Sequence, residues 1–287
     1  MTQVYVIAGP TASGKSSRAL DLASRINGVV INADSMQVYD ALPMLTAQPS
    51  AEDRVHIPHR LYGVIDPLTS YSAGNWRERA IFEIKDVLTH GQTPIITGGS
   101  GLYIKALMEG FSPIPDIPPD VRQNAIDLQA QLGNPGFHAL LAERDPVMAA
   151  RFHPFHTARL VRAWEVIEAT GKSLAEWQKL PKEKPPAEWT FDVEVILPDR
   201  DLLNTRCDAR FDAMMENGVL DEVEHFSRRL QIDIPPQALI NRALGLQPLL
   251  SYLRGDMIRD DAISQAKLET RQYAKRQMTW FRHQIKG

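Results

Sequence analysis

The run Gly9-Pro10-Thr11-Ala12-Ser13-Gly14-Lys15-Ser16 constrains the fold of this chain more than any other stretch. It fits G-x-x-x-x-G-K-[ST], follows the apolar run Val4-Tyr5-Val6-Ile7-Ala8, and leads into Ser17-Arg18-Ala19-Leu20-Asp21-Leu22-Ala23, which has helical spacing. Strand, glycine loop and helix in that order are the context of a phosphate-binding loop. Glycine permits the tight path, consecutive N–H groups point inward, and the helix N-terminus adds positive potential where a polyphosphate lies. Lys15 supplies a point charge and Ser16 a ligand for Mg²⁺. The loop alone does not say which diphosphate it holds.

Two further apolar runs end in chemically interesting turns. Gly28-Val29-Val30-Ile31-Asn32 reads as a buried parallel strand followed by Ala33-Asp34-Ser35-Met36-Gln37. Thr93-Pro94-Ile95-Ile96-Thr97 reads as another, followed by Gly98-Gly99-Ser100-Gly101. In doubly wound sheets the residues just past strand C-termini line the ligand crevice, so Asp34 and Ser100 are expected beside Lys15. The fold class this predicts is α/β: a P-loop nucleotide-kinase-like parallel sheet core.

Proline sets the boundaries. Residues 112–119 carry Pro113, Pro115, Pro118 and Pro119, and residues 180–186 carry Pro181, Pro185 and Pro186. Between these clusters the periodicity is helical, and strand character returns at residues 190–197. The chain is therefore expected to be a core (1–111), a helical insertion domain (112–189) and a second core part (190–287). Residues 47–70, with Pro49 and Pro58, read as a loop, and His56 and His59 as solvated or structural histidines rather than metal ligands.

Three basic patterns stand out. Arg159 and Arg162 share a helix face in the insertion. Arg206 and Arg210 share one after the last strand, with Asp199 as candidate cap and Cys207, Phe211 and Met214 as the buried stripe. Two such arginines can clamp a diphosphate through bidentate forks, although ion pairs with Asp208 and Asp212 account for them equally well. The final helix, read as residues 263–283, sets Arg271, Lys275 and Arg282 beside Tyr273, Gln277 and Trp280, a surface suited to RNA.

Composition excludes some classes. The net charge of −3 argues against wholesale nucleic-acid binding, and a single cysteine, Cys207, rules out an intramolecular disulfide. No apolar run approaches a membrane span and no export signal is visible, so a cytoplasmic protein with no membrane partner is expected.

A site with Lys15, Ser16, Asp34 and Mg²⁺ supports two reactions. One is phosphoryl transfer from ATP by a small-molecule kinase, with Asp34 activating an acceptor hydroxyl. The other is carbon-group transfer, with the loop holding a diphosphate leaving group and Asp34 taking a proton from the nucleophile. The strand ending in Thr97 offers glycines where P-loop NTPases usually offer an acidic Mg²⁺ ligand, which favours the second.

The successive stretches GPTASGKS (9–16), NADSMQVY (32–39), GGSGLY (98–103), RLVRAWE (159–165), ATGK (169–172) and TRQYAKRQMTWF (270–281) resemble the motifs of bacterial tRNA dimethylallyltransferases. The resemblance spans nearly the whole chain. It implies transfer of a dimethylallyl group from dimethylallyl diphosphate to N6 of the adenosine 3′ to the anticodon, with Mg²⁺ at Ser16. Asp34 would be the base, assisted by Ser100, Lys15, Arg206 and Arg210. Residues Asp34, Ser35, Met36, Gln37 and Ser100 would meet the flipped base, and Arg122, Ala158, Arg159, Leu160, Val161 and Arg162 would hold the anticodon stem-loop. A monomer is expected. Three positions depart from the family pattern: Ser100 replaces a frequent threonine, Gln48 a more usual lysine, and Leu246 a tyrosine.

Overall fold

A computed structural model describes residues 1–230, 234–235 and 238–285. The chain forms two compact units, Met1–Met108 with Pro185–Gly287, and Glu109–Lys184.

The first unit is built on a five-stranded, wholly parallel sheet. Its strands are β1 (Thr2–Ala8), β2 (Gly28–Asn32), β3 (His59–Arg60), β4 (Thr93–Gly98) and β5 (Trp189–Val195), in the spatial order β3-β2-β4-β1-β5. Every residue of β2 is buried, and β4 is buried beyond its first residue, as expected for central strands covered on both faces. β5, at the edge, alternates exposed and half-buried positions after its buried first residue, Trp189.

In the first half of the unit the helices are α1 (Lys15–Arg25), α2 (Ala51–His56), α3 (Ala73–Thr89) and α4 (Gly101–Glu109). α3 turns Trp76, Ala80, Ile84 and Val87 into the core, one apolar face at helical spacing. α2 and β3 occupy the stretch read as a loop, so that reading is corrected. Pro49 and Pro58 lie outside both elements, and a reciprocal capping box between Ser50 and Asp53 starts the helix.

The second unit contains α5 (Pro119–Arg144), α6 (Pro146–Arg151), α7 (Thr157–Thr170) and α8 (Leu174–Trp177). α5 is two helices joined at Gly133, whose φ of 64° breaks the ladder just before Pro135. Phe137, Leu141, Met148, Leu160, Val166 and Leu174 form a core of their own. Asp145, 2 % exposed, caps α6 at the Met148 amide and accepts from the Ser173 hydroxyl at 2.7 Å.

Back in the first unit, α9 (Arg200–Glu216), α10 (Val219–Leu230), α11 (Leu246–Leu253) and α12 (Arg259–Gln284) complete the chain. Asp199 stands at the N-cap of α9 but makes no capping hydrogen bond, contrary to expectation. Cys207, Phe211 and Met214 form the buried stripe of α9 as the spacing requires. α12 starts four residues earlier than its periodicity suggested.

Candidate active site

The glycine loop joins β1 to α1. Ala12 and Gly14 adopt positive φ, 60° and 94°, and Gly14 forms the left-handed N-cap of α1. The Lys15 ammonium folds back to donate to the Pro10 carbonyl at 3.0 Å. Burial lowers the Lys15 pKa to about 8, outweighing the pull of the Asp34 charge, and Arg210 pushes the same way. The Ser13 hydroxyl is buried with no hydrogen-bond partner, and the Ser16 side chain lies exposed at the first turn of α1.

Asp34 is positioned from beneath by Asn32, the last residue of β2 and itself 0 % exposed. The Asn32 side chain accepts from the Asp34 amide at 2.7 Å and donates to the Asp34 carbonyl at 3.0 Å. Its amide nitrogen also donates to the Leu61 carbonyl at 3.0 Å. One carboxylate oxygen, Oδ1, accepts from the Met36 amide at 3.0 Å. The other lies 3.3 Å from where a Cβ at Gly99 would stand, so any side chain there would crowd it. Ser100 grips the neighbouring residue: its Oγ accepts from the Ser35 amide at 2.8 Å and donates to the Ser35 hydroxyl at 3.1 Å.

Gln37 makes no free edge for a base through its amide nitrogen. That nitrogen donates to the carbonyls of Thr46 and Ala47, at 2.9 and 2.8 Å, and so holds the loop opposite. Gln48 donates to the Tyr39 carbonyl and accepts from Arg54 at 3.1 Å, which brings a cation to the position where a lysine is usual. Leu246 is fully buried, so the departure there is a matter of packing.

Both arginines of α9 face the loop. Arg210 donates to the Thr11 hydroxyl at 2.6 Å, and Arg206 approaches the Ser13 carbonyl at 3.5 Å, the limit of a hydrogen bond. The rival ion pairs do not form. Asp208 pairs with Arg271 and Asp212 with Lys267, both on α12, each at 2.6 Å. Burial pulls the Arg210 pKa down, but a guanidinium stays charged at any ordinary pH.

Two cavities, of about 430 and 360 Å³, meet here. The larger is floored by residues 11–17 and flanked by Arg206. The smaller has walls from Leu45, Tyr103, Phe211, Met214 and Tyr273. Both include Thr11, Asp34, Thr46 and Arg210, so the carboxylate sits where a mixed space gives way to a more apolar one.

Gln277, which the sequence placed on a surface suited to RNA, has a different place. On α12 and 6 % exposed, it accepts from the Thr11 amide and donates to the Gly99 carbonyl, both at 2.9 Å. Trp280, read as an exposed aromatic, is half-buried, and its ring fills the space a Cβ at Gly101 would need. Arg271 is ion-paired, which removes it from a basic stripe.

In the helical unit, Arg122, Ala158 and Arg159 are exposed and Arg162 is half-exposed. The Arg159 guanidinium lies 5.8 Å over the Phe152 ring. Leu160 is a correction: its side chain is 0 % exposed and belongs to the core of the unit, not to a surface offered to RNA. Val161 packs half-buried against the same core.

Among the described residues, no three acidic, histidine or cysteine side chains gather as a metal site, and no helix is long and apolar enough to cross a membrane.

The family model described as IPP transferase matches residues 37–284. A tRNA dimethylallyltransferase of Paramagnetospirillum magneticum is 50% identical over 284 residues, covering 99% of this chain and 89% of the relative. Its counterpart in Rhodospirillum centenum is 48% identical over 282 residues, 98% of this chain and 89% of the relative. The crystal structure of the full-length tRNA isopentenylpyrophosphate transferase of Bacillus halodurans superposes with a TM-score of 0.68 at 33% identity, covering 99% of this chain and 88% of that one. A eukaryotic dimethylallyltransferase solved acting on tRNA gives a TM-score of 0.81 at 29% identity, over 98% of this chain and 70% of that one. With a family model spanning most of its length and relatives near half-identical from end to end, this chain belongs to the tRNA dimethylallyltransferase (IPP transferase) family.

Proposed function

We propose that the chain transfers a dimethylallyl group from dimethylallyl diphosphate to N6 of the adenosine 3′ to the anticodon in tRNA. The observation that carries this reading is the junction of the two cavities at Asp34 and Arg210. A diphosphate on the glycine loop leaves its organic end toward the apolar walls, with a carboxylate beside the bond that breaks.

The adenine amino group is a weak nucleophile because its lone pair is delocalised into the ring. As N6 bonds to the allylic carbon, the C–O bond to diphosphate breaks and the N6 proton passes to Asp34. Charge gathers on the departing diphosphate, where the loop amides, Lys15, Arg206 and Arg210 stabilise it. The unpartnered Ser13 hydroxyl adds a buried donor in the same loop. Ser16, phosphate oxygens and water would hold Mg²⁺, in keeping with an ion that takes few protein ligands and keeps its waters. When bound, the ion supplies further charge neutralisation on the diphosphate.

A base inside an anticodon loop reaches Asp34 only by leaving its stack, at a cost of a few kcal/mol. Ser35, held by Ser100, and the Gln37 carbonyl oxygen are the polar groups beside it. Arg122, Ala158, Arg159 and Arg162 of the helical unit would hold the RNA backbone.

Incubation with labelled dimethylallyl diphosphate and unmodified tRNA tests the reading, with labelled ATP and small hydroxyl acceptors as the rival arm. Label is expected in tRNA from the prenyl donor. Label passing only from ATP would replace the reading with a kinase.

A further inference from the structure

Glu165 on α7 has a side chain only 2 % exposed, with its carboxyl group inside the helical unit. Its Oε1 accepts from Arg162, one turn back on the same helix, at 2.5 Å. Its Oε2 has no hydrogen-bond partner and lies 4.0 Å from Nε of Arg122, at the start of α5. The acid therefore draws guanidiniums from two separate helices of the helical unit to one point.

Packing does not explain it, since a well-fitted apolar residue in place of a buried ion pair is often as stabilising or more so. What the carboxylate does supply is aim. Two guanidiniums brought together repel one another, and a single negative charge between them lets them share a site while leaving the trio with one net positive charge. Arg162 and Arg122 remain 41% and 54% exposed. A guanidinium carries five N–H donors, and Glu165 engages one of Arg162's. The rest of that fork has no other acceptor among the described residues and matches oxyanions bidentately.

We propose that Glu165 is a positioning residue that presets Arg122 and Arg162 as a paired clamp for the phosphates of an RNA backbone. This rests on the reading of the helical unit as an RNA-binding surface. Its benefit is pre-organisation: the ordering of two long side chains is done before RNA arrives.

The test compares the full chain with Glu165→Gln, the double variant Arg122→Ala/Arg162→Ala, and the triple variant. Readouts are tRNA affinity across a salt series, steady-state kinetics and thermal unfolding. E165Q is expected to melt near the parent temperature, to raise the tRNA Kd and KM about tenfold with a shallower salt slope, and to retain kcat at saturating tRNA. Adding E165Q to the double variant is expected to change tRNA affinity no further. Parent-like affinity in E165Q, or an equal further loss in the triple variant, overturns the positioning role. Parent-like affinity in the double variant overturns the RNA reading of this unit, while leaving prenyl transfer at Asp34 to its own assay. Should E165Q not fold, the two single arginine variants carry the test: a shared clamp predicts that their losses do not add.

Discussion

The Gln277 side chain accepts a hydrogen bond from the Thr11 amide at 2.9 Å, so α12 holds the third residue beyond β1, within the glycine loop. Through its other end Gln277 donates to the Gly99 carbonyl, also at 2.9 Å, tying the phosphate loop to the turn after β4. A single buried amide thus fixes the spacing between the loop and the turn that leaves Asp34 room.

Replacing Gln277 by leucine leaves the Thr11 N–H and the Gly99 C=O without this partner. Each buried polar group left unsatisfied costs about 1–3 kcal/mol. Denaturant unfolding is expected to show a loss of about 2–6 kcal/mol for the two groups together, and kinetics a raised KM for dimethylallyl diphosphate. A variant with parent stability and parent donor KM would show that α12 merely packs.

Asp34 tests the chemistry itself. Asp34→Asn keeps the shape and the bond from Met36 but removes the base, and turnover is expected to fall by about 10² to 10⁴. tRNA binding, proposed to rest mainly on the arginines of the helical unit, is expected to hold in the same protein. Unchanged turnover would remove Asp34 as the proton acceptor.

Lys15 gives a pH dependence with a definite sign. Its folded pKa is lowered to about 8 from 10.5, so free enzyme loses that charge as pH rises through about 8. kcat/KM for the diphosphate donor is expected to fall above that pH, and Lys15→Met to abolish this limb along with most of the affinity. Stability moves the opposite way. Below about pH 8 both states are protonated and the folded state bears the cost of burial; between 8 and 10.5 the unfolded chain holds more protons, so folding gains stability as pH rises. Unfolding of parent and K15M compared across that window checks it.

The loop, β2 and β4 were legible because their signals are local: continuous apolar runs, glycines at fixed offsets, an acid directly after a strand. α2 was not, because Pro49 and Pro58 look like breakers when the Ser50–Asp53 capping box beside them decides the matter. The partners of Asp208 and Asp212 stayed open in the sequence for a different reason. Spacing shows which neighbours share a helix face, but Arg271 and Lys267 reach them from a helix that tertiary packing alone brings alongside. Gln277 and Trp280 belong to the same case: nothing in the spacing along α12 showed that one bonds the glycine loop and the other covers Gly101. Asn32 did carry a signal, as the polar last residue of an otherwise wholly apolar strand.

Glu222 on α10 extends the same logic to the opposite wall. Its carboxylate accepts from the Met44 and Leu45 amides, at 2.7 and 2.9 Å, and so fixes the turn that presents Leu45 and Thr46 to the cavities. Burial raises its pKa above 4.5, more than the two amide bonds lower it. A raised folded pKa contributes stability that is full below the unfolded value and is lost as pH rises through the folded one. A neutral Glu222→Gln lacks that dependence. Its stability deficit relative to the parent is therefore expected to be largest below about pH 4.5 and to shrink toward neutrality. Glu222→Ala, which strips both amides of their acceptor, is expected to lose about 2–6 kcal/mol and to raise the donor KM by loosening the wall. A constant E222Q deficit across pH would show that burial does not govern this carboxylate, and an unchanged donor KM in E222A would show that the turn holds its place without it.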